Sequence, residues 1–235
     1  MILAANFKTN HTRKSTAAYL EALELFLDAS PAGCDIRVYP PLSALLRADL
    51  YSHTKIGAQN FYPAIEGAYT GEVGAAQLNE FDIKNVLIGH SERRALLKET
   101  QEFIAQKFAF AATQGWEIIY CIGEPKDVRD SGFEAVAEYL WGEFDGIDIS
   151  YDKLAVAYEP IWAIGTGVSA EVQDIAKVLD MLKDKLKDTP LLYGGSVNAD
   201  NLSSIISLKS CDGALIGGAA LDVANFCKLI QIAQK

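Results

Sequence analysis

The chain has 235 residues, half of them hydrophobic and 22% charged, a balance that excludes disorder and fits a compact core-forming chain. Its 31 acidic and 21 basic side chains give a net charge of −10, which argues against a nucleic-acid binder or a ligand of anionic membranes. An anionic small molecule stays admissible, because helix N-termini and a few cations make one cleft attractive on an acidic protein.

Short apolar runs alternate with amphipathic stretches from end to end, and no Pro/Ser/Gly-rich linker divides them. Ile2–Phe7 is the first predicted strand, and Leu20, Leu23 and Leu27 then repeat at helical spacing. Ile36–Tyr39 is the second strand. The stretch after it carries only a weak helical pattern before the third, Lys55–Asn60. Asn85–His90 and Glu117–Cys121 follow, and Ser131-Gly132-Phe133-Glu134 has the form of a capping box opening another helix. Leu154–Glu159 is the sixth strand. Val172, Ile175, Leu179, Leu182 and Leu186 then step along one helical face, with Lys and Asp opposite. Leu191–Gly194 and Gly213–Gly217 are the last strands, and Val223, Phe226, Cys227 and Ile230 mark a final helix. Val86-Leu87-Ile88 and Ile118-Ile119-Tyr120 lack polar alternation, as strands of a parallel sheet covered by helices do.

Eight such units of about 30 residues fit a closed (β/α)8 barrel of parallel strands with outer helices, or an open doubly wound sheet. The count of eight favours the barrel, as does the lack of a G-x-G-x-x-G after the first strand; it then forms a single domain over residues 1–235. A barrel carries its chemistry at the C-terminal strand ends. Those ends hold Asn6 and Lys8, Gln59 and Asn60, His90 with Ser91 and Glu92, Gly123 and Glu124, and Glu159. Glycines with Ser196 follow at Gly194 and Gly195, and Gly217 and Gly218 end the eighth strand.

Each residue has a plain alternative. Lys8 could be a solvated lysine, His90 a core histidine bonded to a carbonyl, and the glycines mere turns. Glu159 is harder to explain away, because a carboxylate ending the apolar run Ala155–Tyr158 is costly to bury without a role. Backbone N–H groups at glycine-rich turns bind phosphate, a carboxylate in a dry site abstracts a carbon-bound proton, and a neutral imidazole with an ammonium stabilises the resulting oxyanion. A helix opening right after His90 disfavours its imidazolium. The set describes proton abstraction beside the carbonyl of a small phosphorylated ligand. Apolar residues 160–167, framed by Pro and Gly, suit a lid that excludes water.

The four scattered cysteines and three histidines form no metal-ligand pattern. The chain start has no leader character and no apolar run reaches about 18 residues, so a cytoplasmic protein with reduced thiols is expected.

Several segments together resemble the triosephosphate isomerase family. They are Asn6-Phe7-Lys8, Ala58-Gln59-Asn60, Gly67 through Glu72, and Gly89-His90-Ser91-Glu92-Arg93-Arg94. Tyr158 through Gly167, Tyr193-Gly194-Gly195-Ser196-Val197 and Leu215 through Gly218 complete the set, in order along the chain. The resemblance implies interconversion of dihydroxyacetone phosphate and D-glyceraldehyde 3-phosphate, with no cofactor or metal. It implies Glu159 as base, His90 as neutral electrophile, Lys8 as the nearby cation and Asn6 as an orienting group. Main chain at Gly165, Ser196, Gly217 and Gly218 would hold the phosphate, and Glu92 would support the lysine. It also implies a homodimer, with the loop around Thr70 reaching the neighbour; Tyr69, set between glycines, is awkward to leave in water.

The chain departs from the pattern in three places. It is shorter than the roughly 250 residues of a typical barrel. Val168-Ser169-Ala170 stands where the family often has Lys and Thr, which bears on lid kinetics, and Ala220 replaces a common Ser. Two rival readings are another phosphosugar isomerase on the same fold and a catalytically silent barrel that serves as an interaction protein. The second would be expected to lack Glu159, His90 or Lys8, and all are present.

Overall fold

The computed structural model describes residues 1–164 and 170–234. Among them run eight strands: β1 (Ile2–Asn6), β2 (Asp35–Tyr39), β3 (Thr54–Ile56), β4 (Asn85–Ile88), β5 (Glu117–Ile122), β6 (Leu154–Tyr158), β7 (Leu191–Tyr193) and β8 (Gly213–Ile216). Between and after them lie α1 (Arg13–Ala29), α2 (Ala75–Glu80), α3 (Ser91–Ala95), α4 (Gln101–Thr113), α5 (Lys126–Asp130), α6 (Phe133–Gly142), α7 (Val172–Leu186), α8 (Leu202–Ile206) and α9 (Val223–Ala233). The strand order is β3-β2-β1-β8-β7-β6-β5-β4, every ladder is parallel, and β1 pairs with β8. The sheet is therefore curled into the expected (β/α)8 barrel.

Closure is incomplete at one seam, between β3 and β4. The predicted third strand ran Lys55–Asn60, but the ladder with β2 stops at Ile56. A Cβ on Gly57 would lie 2.0 Å from Asn85 Oδ1, so the Asn85 side chain occupies the space beside that residue. Its Nδ2 donates to Ile56 O at 2.8 Å, an amide standing in for the missing ladder. Past it, one bridge joins Ala58 and Val86, with Ala58 N donating to Asn85 O and Leu87 N to Ala58 O.

Two layers of apolar packing follow from the strand alternation. Small and medium side chains fill the barrel, among them Ala4, Leu87, Ile119, Cys121, Ala157, Leu192 and Leu215. The alternate residues, such as Leu3, Val38, Ile118 and Val156, pack under the helices. In α7 four residues of the predicted stripe, Ile175, Leu179, Leu182 and Leu186, are buried together with Val178, while Val172 at its start is half-buried. The N-terminal mouth is plugged by charge. Arg37 pairs with Asp35 at 2.5 Å and Glu117 at 2.7 Å, and Lys55 bridges the same two acids. Burial raises the Asp35 pKa, but Arg37 and Lys55 outweigh it and hold that carboxyl below its usual range.

The first, fourth, sixth, seventh and eighth predicted strands lose one or two residues at their C-terminal ends, where the chain leaves the ladder to build the rim; the second ends at Tyr39 as predicted, and the fifth runs one residue further, to Ile122. The weak stretch after β2 forms two short turns of 3-10 helix, Leu42–Ala44 and Ala48–Leu50. The predicted capping box at Ser131 is absent. Ser131 ends α5 and its Oγ donates back to Asp127 O, while Gly132, at φ 103°, opens α6 with no side-chain cap. Gly132 takes a left-handed turn between two short helices, which leaves Ser131 on the wrong one. All four cysteines are free thiols. Among the described residues no helix is long and apolar enough to cross a membrane.

Candidate active site

At the C-terminal rim the strand ends enclose a cavity of about 200 Å³. Asn6, Lys8, His90, Glu159, Ser196, Gly217 and Gly218 all line it, so the expected set converges on one space. The expected contribution of Gly165, the end of the expected lid (residues 165–167) and the hinge residues 168–169 lie outside the described residues.

Glu159 leaves β6 pointing inward and is 2% exposed. Gly194 makes room for it, since a Cβ there would sit 2.7 Å from Glu159 Cγ. Its Oε2 accepts from Ser91 N at 3.1 Å, and its Oε1 lies 3.2 Å from His90 Nε2. His90 follows the left-handed Gly89 (φ 77°) and caps α3, its Nδ1 accepting from Glu92 N at 3.2 Å. An Nδ1 that accepts carries no proton, so the ring presents Nε2–H to the carboxylate.

Lys8 sits at φ 52°, a left-handed conformation that costs a non-glycine residue on the order of 1 kcal/mol. Its neighbours hold it there. Lys8 N donates to Asn6 Oδ1 at 3.0 Å, and Gln59 Nε2 donates to Lys8 O at 2.8 Å and to Tyr39 O at 2.8 Å. The ammonium reaches Glu92 Oε1 at 2.5 Å on the half-open side of the cavity. Gly217 faces the same lysine, with an added Cβ 3.4 Å from Lys8 Cε. Ser196 Oγ donates to Ala163 O at 2.6 Å, fastening the β7 rim to the segment after β6.

That segment is itself anchored. Glu124 Oε1 accepts from Trp162 Nε1 at 2.9 Å and Tyr158 OH at 3.1 Å, and Glu124 O accepts from Ile161 N. Sequence reasoning located Gln59 and Glu124 at strand ends without giving them work, and it gave Ser91 none beyond opening a helix. Their tasks depend on which atoms the fold brings opposite them, and no spacing encodes that.

A second buried carboxylate, Glu143, lies behind the site. Its Oε2 accepts from Gly123 N at 2.7 Å and its Oε1 faces Arg94 Nε at 3.4 Å. Burial pushes its carboxyl up to about 7, against the pull of Arg94 and the Gly123 N–H; the charges of Glu159 and Glu124 add to the rise. A native pKa above the ordinary 4.5 means that the folded state keeps a proton which the unfolded chain gives up first. This stabilisation is complete below pH 4.5 and lost as pH rises through about 7. Glu143→Gln removes the titration, so the variant should gain on the wild type by about 3 kcal/mol across that window. Chemical denaturation at several pH values measures it, and a pH-independent difference between the two proteins contradicts it.

A sequence model of the family described as triosephosphate isomerase matches residues 1–233. The chain is 54% identical over 231 residues to a triosephosphate isomerase of Wolinella succinogenes, covering 98% of this chain and 99% of the relative. It is 51% identical over 235 residues to that of Nitratiruptor sp., covering 100% and 99%. To that of Campylobacter jejuni subsp. jejuni it is 52% identical over 232 residues, covering 98% and 100%. Barrel, rim and full-length kinship agree: the chain belongs to the triosephosphate isomerase family.

Proposed function

We propose that this protein is an isomerase that interconverts dihydroxyacetone phosphate and D-glyceraldehyde 3-phosphate through an enediolate. The observation that carries the reading is the buried Glu159 carboxylate facing His90 Nε2, in one cavity with Lys8 and the glycine wall. Glu159 is the base that carries the proton between C1 and C2. Its two oxygens are engaged by Ser91 N–H and the imidazole, so a bound substrate takes over one of those contacts. His90 donates from Nε2 to the substrate oxygens, and Lys8 supplies positive charge beside the developing oxyanion. Asn6 orients the substrate and holds Lys8, and Glu92 fixes the ammonium. Main-chain N–H groups at Gly165, Ser196, Gly217 and Gly218 hold the phosphate. Base, donor and cation are all side chains of the protein, so the chemistry invokes no cofactor or metal. In this reading the enzyme serves glycolysis and gluconeogenesis in the cytoplasm, and residues 1–235 form one domain.

The working unit in this reading is a homodimer. Beside Lys8 a cavity of about 440 Å³ opens on Thr9, Asn10, Gln59, Leu96 and Leu97. Leu96 and Leu97 are 74% and 61% exposed, and Tyr69 and Ile65 on the projecting loop are 45% and 48% exposed. The loop around Thr70 of a second copy covers these apolar groups. Thr70→Glu then buries an unpaired charge, which costs about 3–5 kcal/mol and weakens association at least about 100-fold. Sedimentation velocity across a dilution series should show the variant as monomer where the wild type is dimer; identical profiles contradict the assignment.

The test of the activity is a coupled assay of purified protein with D-glyceraldehyde 3-phosphate. Turnover at rates ordinary for an enzyme, above about 1 per second, supports the reading. A folded protein without turnover favours the catalytically silent barrel instead.

A further inference from the structure

The side chains of Arg94 and Glu143 line no part of the cavity and contact no side chain given a catalytic role, yet both end one step from the catalytic groups; the Arg94 main chain is tied to the same site, its N donating to His90 O at 3.2 Å. Arg94, on α3, donates from Nε to Gly89 O at 2.7 Å, and Gly89 is the residue before His90. The contact has no side chain to cushion it: a Cβ on Gly89 would lie 2.9 Å from Arg94 Nη2 and 3.0 Å from Cys121 O. Glu143, just past α6, accepts from Gly123 N at 2.7 Å. Gly123 lies flat on the main chain of Glu159, where a Cβ would sit 1.8 Å from Glu159 O. Glu159 N in turn donates to Ile122 O at 2.7 Å. A shift of Arg94 therefore passes to the main chain of His90, and a shift of Glu143 passes to that of Glu159.

The pair is itself locked from several sides. Arg94 Nη1 donates to Gln101 Oε1 at 2.8 Å and Nη2 to Tyr120 OH at 2.9 Å. Tyr120 OH and Gln101 Nε2 both donate to Glu143 O. Both side chains are largely buried, 14% and 10% exposed. A buried ion pair is weak evidence of a gain in stability, because desolvation offsets the attraction, so its placement calls for another account.

We propose that Arg94 and Glu143 form a positioning pair that sets the spacing between the His90 imidazole and the Glu159 carboxylate. The inference rests on the isomerase reading given above for what that spacing is used for. A misplacement of about 1 Å between reacting groups costs about 100-fold in rate, so a shift of half that size costs about tenfold. The phosphate wall at Ser196, Gly217 and Gly218 is built on β7 and β8, away from the pair, so substrate binding is spared.

Three variants test it. Glu143→Ala removes both contacts. Glu143→Gln keeps an oxygen for Gly123 N–H and loses only the charge. Arg94→Lys keeps a charge but loses the fork that holds Gly89 and Tyr120. The expected result is a kcat about tenfold lower in Glu143→Ala and Arg94→Lys, with KM and the Kd for inorganic phosphate within about twofold of wild type. Glu143→Gln should recover most of the kcat. Activity is normalised to folded protein by the stoichiometry of phosphate binding. The proton resonance of His90 Nε2–H gives a second readout that does not depend on turnover; it should move in Arg94→Lys and Glu143→Ala and much less in Glu143→Gln. Unchanged kcat and an unmoved resonance in Arg94→Lys overturn the proposal even where Glu143→Ala fails to fold. So does a KM that rises in step with the loss of kcat. A resonance that moves while the wild type itself does not turn over overturns the isomerase reading and leaves the positioning geometry standing.

Discussion

Replacing Glu159 by Gln should abolish nearly all turnover and leave the fold intact. Loss of a general base costs about 10²–10⁴-fold, and at a site dedicated to carbon acid chemistry the upper end is expected. The substitution is isosteric, but the amide offers one acceptor where the carboxylate offers two. Ser91 N–H and His90 Nε2–H both point at that group, so only one of them keeps its partner. The change also removes a negative charge that opposes ionisation of Glu143, which offsets part of the stability lost with that hydrogen bond. Initial rates with D-glyceraldehyde 3-phosphate, beside the Kd for inorganic phosphate, separate the outcomes. Lost rate with retained phosphate binding assigns the base. A variant that keeps more than a tenth of wild-type kcat removes Glu159 from that role.

Gly123→Ala is expected to harm stability and activity together. The added methyl would lie 1.8 Å from Glu159 O and 2.7 Å from Glu159 C, main-chain atoms that no rotamer change moves aside. The β5 and β6 ends must part by more than an ångström, which breaks the Glu159 N–H bond to Ile122 O. Overpacking plus that bond costs about 3 kcal/mol, roughly 6–12 °C in Tm for a chain of this size. The displaced carboxylate costs about 100-fold in kcat. Gly142→Ala provides the comparison, because nothing lies within 4 Å of the added methyl and the site is helical. It should leave Tm unchanged or raise it slightly. Equal Tm values for the two variants would falsify the close-approach argument.

The elements that were legible in the sequence are those whose signal is local. Val172 to Leu186 announced a helix because a periodic stripe and charged opposite face need only the helix itself to make sense. The doubly apolar runs of β4, β5 and β6 read as buried parallel strands for the same reason. The rim residues were legible because a barrel fixes where strand ends go, so Lys8, His90 and Glu159 meet once the count of eight is right. What failed or was missed depends on atoms far apart in the chain. The third strand ends early because Asn85 reaches across to Ile56 O, and the pattern of residues 55–60 contains no trace of Asn85. Ser131 looked like a cap because its neighbours had the right types, but the left-handed Gly132 assigned it to the preceding helix. Glu143 was missed altogether, because only the packing of Arg94, Tyr120 and Gly123 around it makes it a buried carboxylate.

The seam between β3 and β4 links barrel integrity to the homodimer proposed above. Every other neighbouring pair of strands is joined by a ladder, whereas here one bridge and one side-chain amide do the work. The barrel thus has a natural parting line, and the cheapest local opening separates these two strands. Residues 57–84, which span the line, include the loop assigned to the second copy. In the homodimer proposed above, the docked neighbour would grip the chain on the far side of this joint and act as a splint across it. Dissociation would then do more than uncover apolar surface: it would release the splint, and the edges that part carry Gln59, which holds Lys8, and the start of the strand that leads to His90.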